Sequence, residues 1–201
     1  MRRFDAGPLP ADFSGSWQRN YARDEHINKA VGEAFDQLAR RTDPALRGTS
    51  AARVLSSRDS TTIVALARIA ELITRPDVLT IVQDEYEIRV DRKDDFSLLC
   101  AFFDGETKAT QSAFGTEICG WDGEQLVSHL SLPGGLQITH RFAMSPDRQQ
   151  LRVTTTVVSD EARVPLTIRR YYTKFDRPAP QFNCIETLSM KRVCSTGELG
   201  L

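Results

Sequence analysis

The chain has 201 residues, 40% of them hydrophobic, and sets 26 Lys and Arg against 27 Asp and Glu for a net charge of −1. That length and apolar content suit one domain with a single core. The balanced charge, with a pI of about 6.3, leaves no electrostatic footprint for nucleic acid or an anionic membrane surface. No apolar run approaches the length of a membrane-spanning helix, so no stable membrane insertion is expected.

The first ten residues begin basic but carry no apolar run, so no export signal is read and a cytoplasmic location is the expectation. A first strand is expected from Ser14 to Tyr21. Its segment Asp12-Phe13-Ser14-Gly15-Ser16-Trp17 joins a glycine, which permits close backbone approach, to a large indole that can plug an apolar space. After the polar Arg23-Asp24-Glu25, the helical spacing of Ile27, Val31, Phe35 and Leu38 predicts a helix over Ile27 to Arg40, with Asp24 placed as its cap. Thr42 to Asp59 reads as a loose polar connection. A second helix is predicted over Thr61 to Thr74, starting after Asp59 or Ser60 and stopping before Pro76. Its apolar residues cover more than one face, which suits a helix lying between two surfaces or leaving one to a ligand or partner.

From Asp77 the apolar period changes to two. Strands are predicted over Val78 to Gln83, Tyr86 to Asp91, Phe96 to Phe103, Thr107 to Ala113, Gly115 to Trp121, Glu124 to Leu132, Leu136 to Met144, Gln150 to Ser159 and Pro165 to Phe175. Asp122-Gly123, Pro133-Gly134-Gly135 and Ser145-Pro146-Asp147 supply hairpin turns. Consecutive antiparallel hairpins describe an up-and-down sheet, and closing it removes exposed edges. The fold class expected is therefore mainly β: an antiparallel barrel over residues 1–176, with two helices inserted at about 26–74 after the first strand, and a C-terminal extension over 177–201.

The Gly15-x-Trp17 strand, the helix pair, the hairpins and a last strand ending Arg170-Tyr171-Tyr172-Thr173-Lys174 together resemble the calycin barrels, namely the intracellular fatty-acid-binding proteins and lipocalins. The resemblance covers Phe13 to Asp176. It implies a barrel that binds a small lipophilic molecule, helices that lid its mouth, and an Arg-x-Tyr pair, here Arg170 and Tyr172, that holds a ligand carboxylate. The helices are longer than in those proteins, and the extension from Gln181 has no counterpart there.

Alternation places Leu166, Ile168, Arg170 and Tyr172 on one inward face. An inward arginine needs compensation. Two readings follow: Arg170 anchors a carboxylate with help from the Tyr172 hydroxyl, or it packs over Trp17 and bonds carbonyls at the closed end. If Pro133-Gly134-Gly135 sets Leu132 opposite Leu136, then Leu130 faces Ile138, Ser128 faces His140 and Leu126 faces Phe142. Ser128 and His140 then form an internal polar pair, lining a ligand cavity or satisfying each other in the core. His129 and His26 are expected in solvent.

Cys100, Cys119, Cys184 and Cys194 have no CxxC spacing and no nearby histidine, so no metal is expected. Cys100 and Cys119 read as small core hydrophobes; Cys184 and Cys194 could pair in an oxidising compartment. No catalytic motif appears, and no strand shows an inward Asp or Glu to partner His140, so the chain is not read as an enzyme. The expected function is non-catalytic binding of a small lipophilic, anionic ligand, with no cofactor. The alternatives are a filled barrel that docks a protein partner through its helices or C-terminal tail, and haem held by His140.

Overall fold

The computed structural model describes residues 10–42, 56–93, 95–103, 106–107, 109–176, 182–185 and 193–196. A short strand β1 (Gly15–Arg19) leads into two helices, α1 (Ile27–Thr42) and α2 (Ser57–Ile73). Ten strands follow: β2 (Val78–Gln83), β3 (Glu87–Arg92), β4 (Leu98–Phe103), β5 (Glu106–Thr107), β6 (Thr110–Ser112), β7 (Gly115–Asp122), β8 (Gln125–Leu132), β9 (Leu136–Met144), β10 (Gln150–Ser159) and β11 (Leu166–Phe175). A separate two-stranded ribbon, β12 (Phe182–Ile185) and β13 (Val193–Thr196), sets Cys184 opposite Cys194 in its backbone register.

The strands form one eleven-stranded antiparallel sheet in the order β5-β4-β3-β2-β1-β11-β10-β9-β8-β7-β6. Apart from the β1–β11 pairing, every neighbour in this order is the next strand along the chain. The fold is an up-and-down antiparallel barrel with its helix pair inserted after the first strand, as the sequence predicts. The register across β8 and β9 also follows the prediction: Leu126↔Phe142, Ser128↔His140, Leu130↔Ile138 and Leu132↔Leu136.

Three local expectations are corrected. The second helix starts earlier, because Ser56 is the cap: its hydroxyl accepts from the Asp59 N–H at 3.1 Å and donates to the Asp59 carboxylate at 2.6 Å. Asp24 does not cap α1. One of its oxygens takes the Tyr171 N–H at 3.0 Å and the other the Arg19 Nε at 2.6 Å, while His26 Nδ1 accepts from the Asn28 N–H. The expected strand at Thr107 to Ala113 is divided between β5 and β6. Most of the connection expected at Thr42 to Asp59 lies outside the described residues.

Each end of the barrel is covered differently. At one end Trp17 is fully buried, its indole N–H donates to the Phe13 carbonyl at 3.0 Å, and the Lys174 ammonium lies 5.6 Å from its ring centre. Gly15 has φ +130°, a conformation side-chain-bearing residues avoid, and a Cβ there would come within 3.0 Å of Lys174. Gln83 fastens the preceding segment by accepting from the Phe13 N–H and donating to the Ala11 carbonyl. At the other end α1 and α2 lie across the sheet. Ala30, Ala34 and Leu38 from α1 and Ile63, Leu66, Ala67 and Ala70 from α2 pack with Val157, Leu166 and Ile168.

The sheet order leaves β5 and β6 as edges, and no backbone ladder joins the β4 side to the β7 side among the described residues. Side chains close this seam. Cys100 of β4 and Cys119 of β7, expected as free thiols, form a disulfide with Cα atoms 5.4 Å apart. Phe102 of β4 stacks on Trp121 of β7 at 6.4 Å between ring centres, and Phe13 covers the same indole at 5.9 Å. The pairing escapes a sequence reading because only the curl of the sheet brings β4 and β7 together.

Candidate functional site

One polar row crosses the inner wall. Cross-strand partners run Thr155 (β10), His140 (β9), Ser128 (β8) and Cys119 (β7), and the disulfide carries the row on to Cys100. Alternation turns each of these side chains inward, and Thr155, His140 and Ser128 are all buried. His140 Nδ1 lies 2.9 Å from the Thr155 hydroxyl. Its Nε2 has no hydrogen-bond partner among the described residues. Burial, reinforced by the Arg92 charge, pushes the imidazole down to about 3, so it is neutral at physiological pH.

Glu117, two residues before Cys119, is also inward and buried. This corrects the expectation that no strand supplies an inward carboxylate. Ser128 Oγ donates to it at 3.3 Å, and it has a further hydrogen bond with the Leu99 backbone across the seam. Burial nevertheless pushes it up to about 7, against those bonds and the Arg92 charge. Glu117 shares a face of β7 with Cys119, which the sequence reading placed in the core, so alternation along that strand is the signal that could have found it.

A cavity of about 370 Å³ opens between the C-terminal end of α2, the β3–β4 connection and the inner faces of β8 and β9. Leu72, Ile73, Leu130, Leu132 and Ile138 give it apolar walls, and Arg75, Arg92, Lys93, Asp95 and His140 give it polar groups. Glu117 does not line it. Arg92 ends the inward series Ile88, Val90, Arg92 on β3, the period-2 signal that could have found it. Its Nε donates to the Phe96 carbonyl at 2.7 Å, and Asp95 lies 3.1 Å from its Nη1. Desolvation lowers its pKa, opposed first by Asp95 and then by Glu117 and Tyr172; a guanidinium keeps its charge regardless. A larger cleft of about 710 Å³ lies at the opposite end, among the β7–β8 and β9–β10 turns. None of its lining residues is buried, and turn chemistry accounts for them.

Arg170 and Tyr172 are inward and buried, as expected. Their hydrogen bonds go to the protein. Arg170 Nη1 donates to the Glu25 carbonyl at 2.7 Å and Nε to the Thr74 hydroxyl at 3.2 Å, with Asp24 3.9 Å away. The Tyr172 hydroxyl donates to the Pro76 carbonyl at 3.1 Å, and burial pushes its pKa up to about 12. Of the two readings of Arg170, carbonyl bonding describes these contacts, while Lys174 is the cation over Trp17. Neither Arg170 nor Tyr172 lines the α2 cavity.

His129 is partly exposed and lies 2.9 Å from the Thr139 hydroxyl, and His26 is exposed. Trp121 Nε1 is buried without a hydrogen-bond partner among the described residues. Those residues contain no cluster of three His, Cys, Asp or Glu side chains placed to hold a metal ion, and no helix long and apolar enough to cross a membrane. No family model, curated protein or solved structure matches the chain.

Proposed function

We propose that the barrel binds a small lipophilic carboxylic acid without transforming it, the apolar chain lying in the α2 cavity and the carboxylate meeting Arg92. The observation that carries this reading is a largely buried guanidinium set in a cavity whose other walls are mostly apolar. Arg–carboxylate pairing is geometrically selective and charge-assisted. At roughly 30 Å³ per non-hydrogen atom, the volume a water takes, the cavity has room for about a dozen such atoms. That suits a medium-length acid and is well short of a porphyrin, which turns the reading away from haem in this cavity. Glu117 is held by Ser128 and does not line the cavity, so it does not present a base to the ligand.

The Arg170–Tyr172 pair, which the calycin resemblance makes the carboxylate anchor, is bonded to the helix ends and lines no part of the α2 cavity, whereas Arg92, though paired with Asp95 and the Phe96 carbonyl, does line it. The proposal therefore moves the anchor to Arg92. A calycin affinity remains a proposal that rests on the up-and-down topology, the Gly15-x-Trp17 strand and the helix insertion. The Cys100–Cys119 bridge favours an oxidising compartment over the cytoplasm as the place where the closed barrel works.

Decanoic acid and its methyl ester test the reading by titration calorimetry. The acid is expected to bind roughly tenfold to a hundredfold more tightly, the worth of a hydrogen bond to a charged group. Arg92→Gln should erase that preference, whereas Arg170→Gln should lower stability and leave the preference intact. Equal binding of acid and ester by the wild-type protein would sink the proposal.

A further inference from the structure

We infer that the acid bound in the α2 cavity carries a hydroxyl group along its chain, and that this hydroxyl is met by His140 Nε2. The inference rests on the carboxylate-binding reading above and narrows its ligand class. His140 lines the cavity, is 4% exposed, and spends Nδ1 on Thr155. The remaining nitrogen is a polar atom without a protein partner on an otherwise apolar wall. A plain alkyl chain laid over it would strand a buried hydrogen-bonding atom, and sites built to bond a ligand oxygen discriminate strongly against analogues lacking it.

The chemistry of that nitrogen selects the partner. The imidazole is neutral, so at that nitrogen a neutral oxygen is a better match than a second carboxylate, and the cavity's charged groups, Arg75, Arg92, Lys93 and Asp95, come from the α2 end and the β3–β4 side rather than from this wall. If the Thr155 hydroxyl donates to Nδ1, Nε2 carries the proton and donates; if Thr155 accepts, Nε2 is an acceptor. A ligand hydroxyl satisfies either tautomer, because it both donates and accepts. A keto oxygen satisfies one.

The experiment compares decanoic acid with hydroxydecanoic acids whose hydroxyl is moved along the chain. At least one isomer should bind about tenfold more tightly than decanoic acid, the gain for pairing a buried group that would otherwise go unpaired. His140→Phe should remove that advantage, so that the variant binds the favoured isomer and decanoic acid alike within about threefold, a margin smaller than one hydrogen bond. Should that variant fail to fold, ¹⁵N NMR of the wild-type imidazole gives the same answer: the favoured isomer should shift Nε2 and decanoic acid should not. If decanoic acid binds through Arg92 and no isomer binds more tightly, this inference is overturned and the carboxylate reading stands. If acid and ester bind alike while one isomer is favoured through His140, the carboxylate reading falls and the His140 contact stands. If nothing in the series binds, both are wrong.

Discussion

The wall from β8 to β11 and the seam between β4 and β7 close the same barrel by different physics. Along the wall, backbone ladders run nearly the full length of strands of eight to ten residues, and alternation alone decides which side chains face inward. Across the seam a disulfide, one aromatic stack and the Glu117–Leu99 contact take the place of a ladder. Backbone pairing is repetitive and tolerates changes of side chain. A seam made of side chains depends on a few identities, so small chemical changes should open it while sparing the wall.

The largest effect expected is on the laddered side. Trp17→Ala should cost about 3 to 5 kcal/mol, the usual range for deleting a large buried aromatic, because β1 bridges β2 and β11 and its indole fills the closed end. Chemical denaturation measures this, and a loss under about 1 kcal/mol would mean that the end is not packed around Trp17.

Next comes the seam. Removing the Cys100–Cys119 bridge, which closes a loop with a sequence separation of 19, should cost about 3 kcal/mol. More tellingly, hydrogen exchange in the Cys100→Ser/Cys119→Ser protein should accelerate in β4 and β7 and hardly change in β9 and β10. Uniform acceleration over all strands would erase the distinction between seam and wall.

The smallest effect is a matter of pH and separates the two regions by sign. Glu117, at the seam, has a folded pKa raised to about 7 from 4.5. The stability associated with its protonated form is complete below 4.5 and is lost as pH rises toward 7. His140, on the wall, has a folded pKa lowered to about 3 from 6.5. Its contribution is complete above 6.5 and is lost as pH falls toward 3. Between 4.5 and 6.5 the two slopes oppose each other at about 1 kcal/mol per pH unit each. Wild-type stability should therefore be nearly flat there with respect to this pair. Glu117→Gln should expose a stability that falls on acidification, and His140→Phe one that falls as pH rises; unfolding curves across that range with unchanged slopes in both variants would refute the assignment.

The same division explains what the sequence made legible. Ser128 opposite His140 was readable because Pro133-Gly134-Gly135 fixes a hairpin register and the apolar partners on either side agree with it. Trp17 was readable from its neighbours and its size. Arg92 was missed because the predicted strand stopped one residue short, at Asp91, although Ile88 and Val90 already marked the face. The disulfide had no local signal: Cys100 and Cys119 sit on strands without a shared ladder, so neither turn length nor alternation sets them opposite each other. Glu117 was missed although Cys119 and Trp121 lie on its face of β7, because a carboxylate among them reads as a solvated side chain unless its burial is known.

The Arg170 bracket has a mechanical consequence. One guanidinium holds the Glu25 carbonyl, just before α1, and the Thr74 hydroxyl, just after α2, so both helices are pinned at the ends that meet the barrel. Any swing of the pair is then a lever turning about that point. Helix α2 has 17 residues, about 25 Å at 1.5 Å per residue, whereas Leu72 sits only about 3 Å along the axis from Thr74. A rotation that carries the Ser57 end through several ångströms moves Leu72 and Ile73 by a small fraction of that. Leu72 and Ile73 would therefore stay close to Arg92 and His140 while the Ser57 end of the helix travelled, so the cavity wall keeps its shape through such a swing.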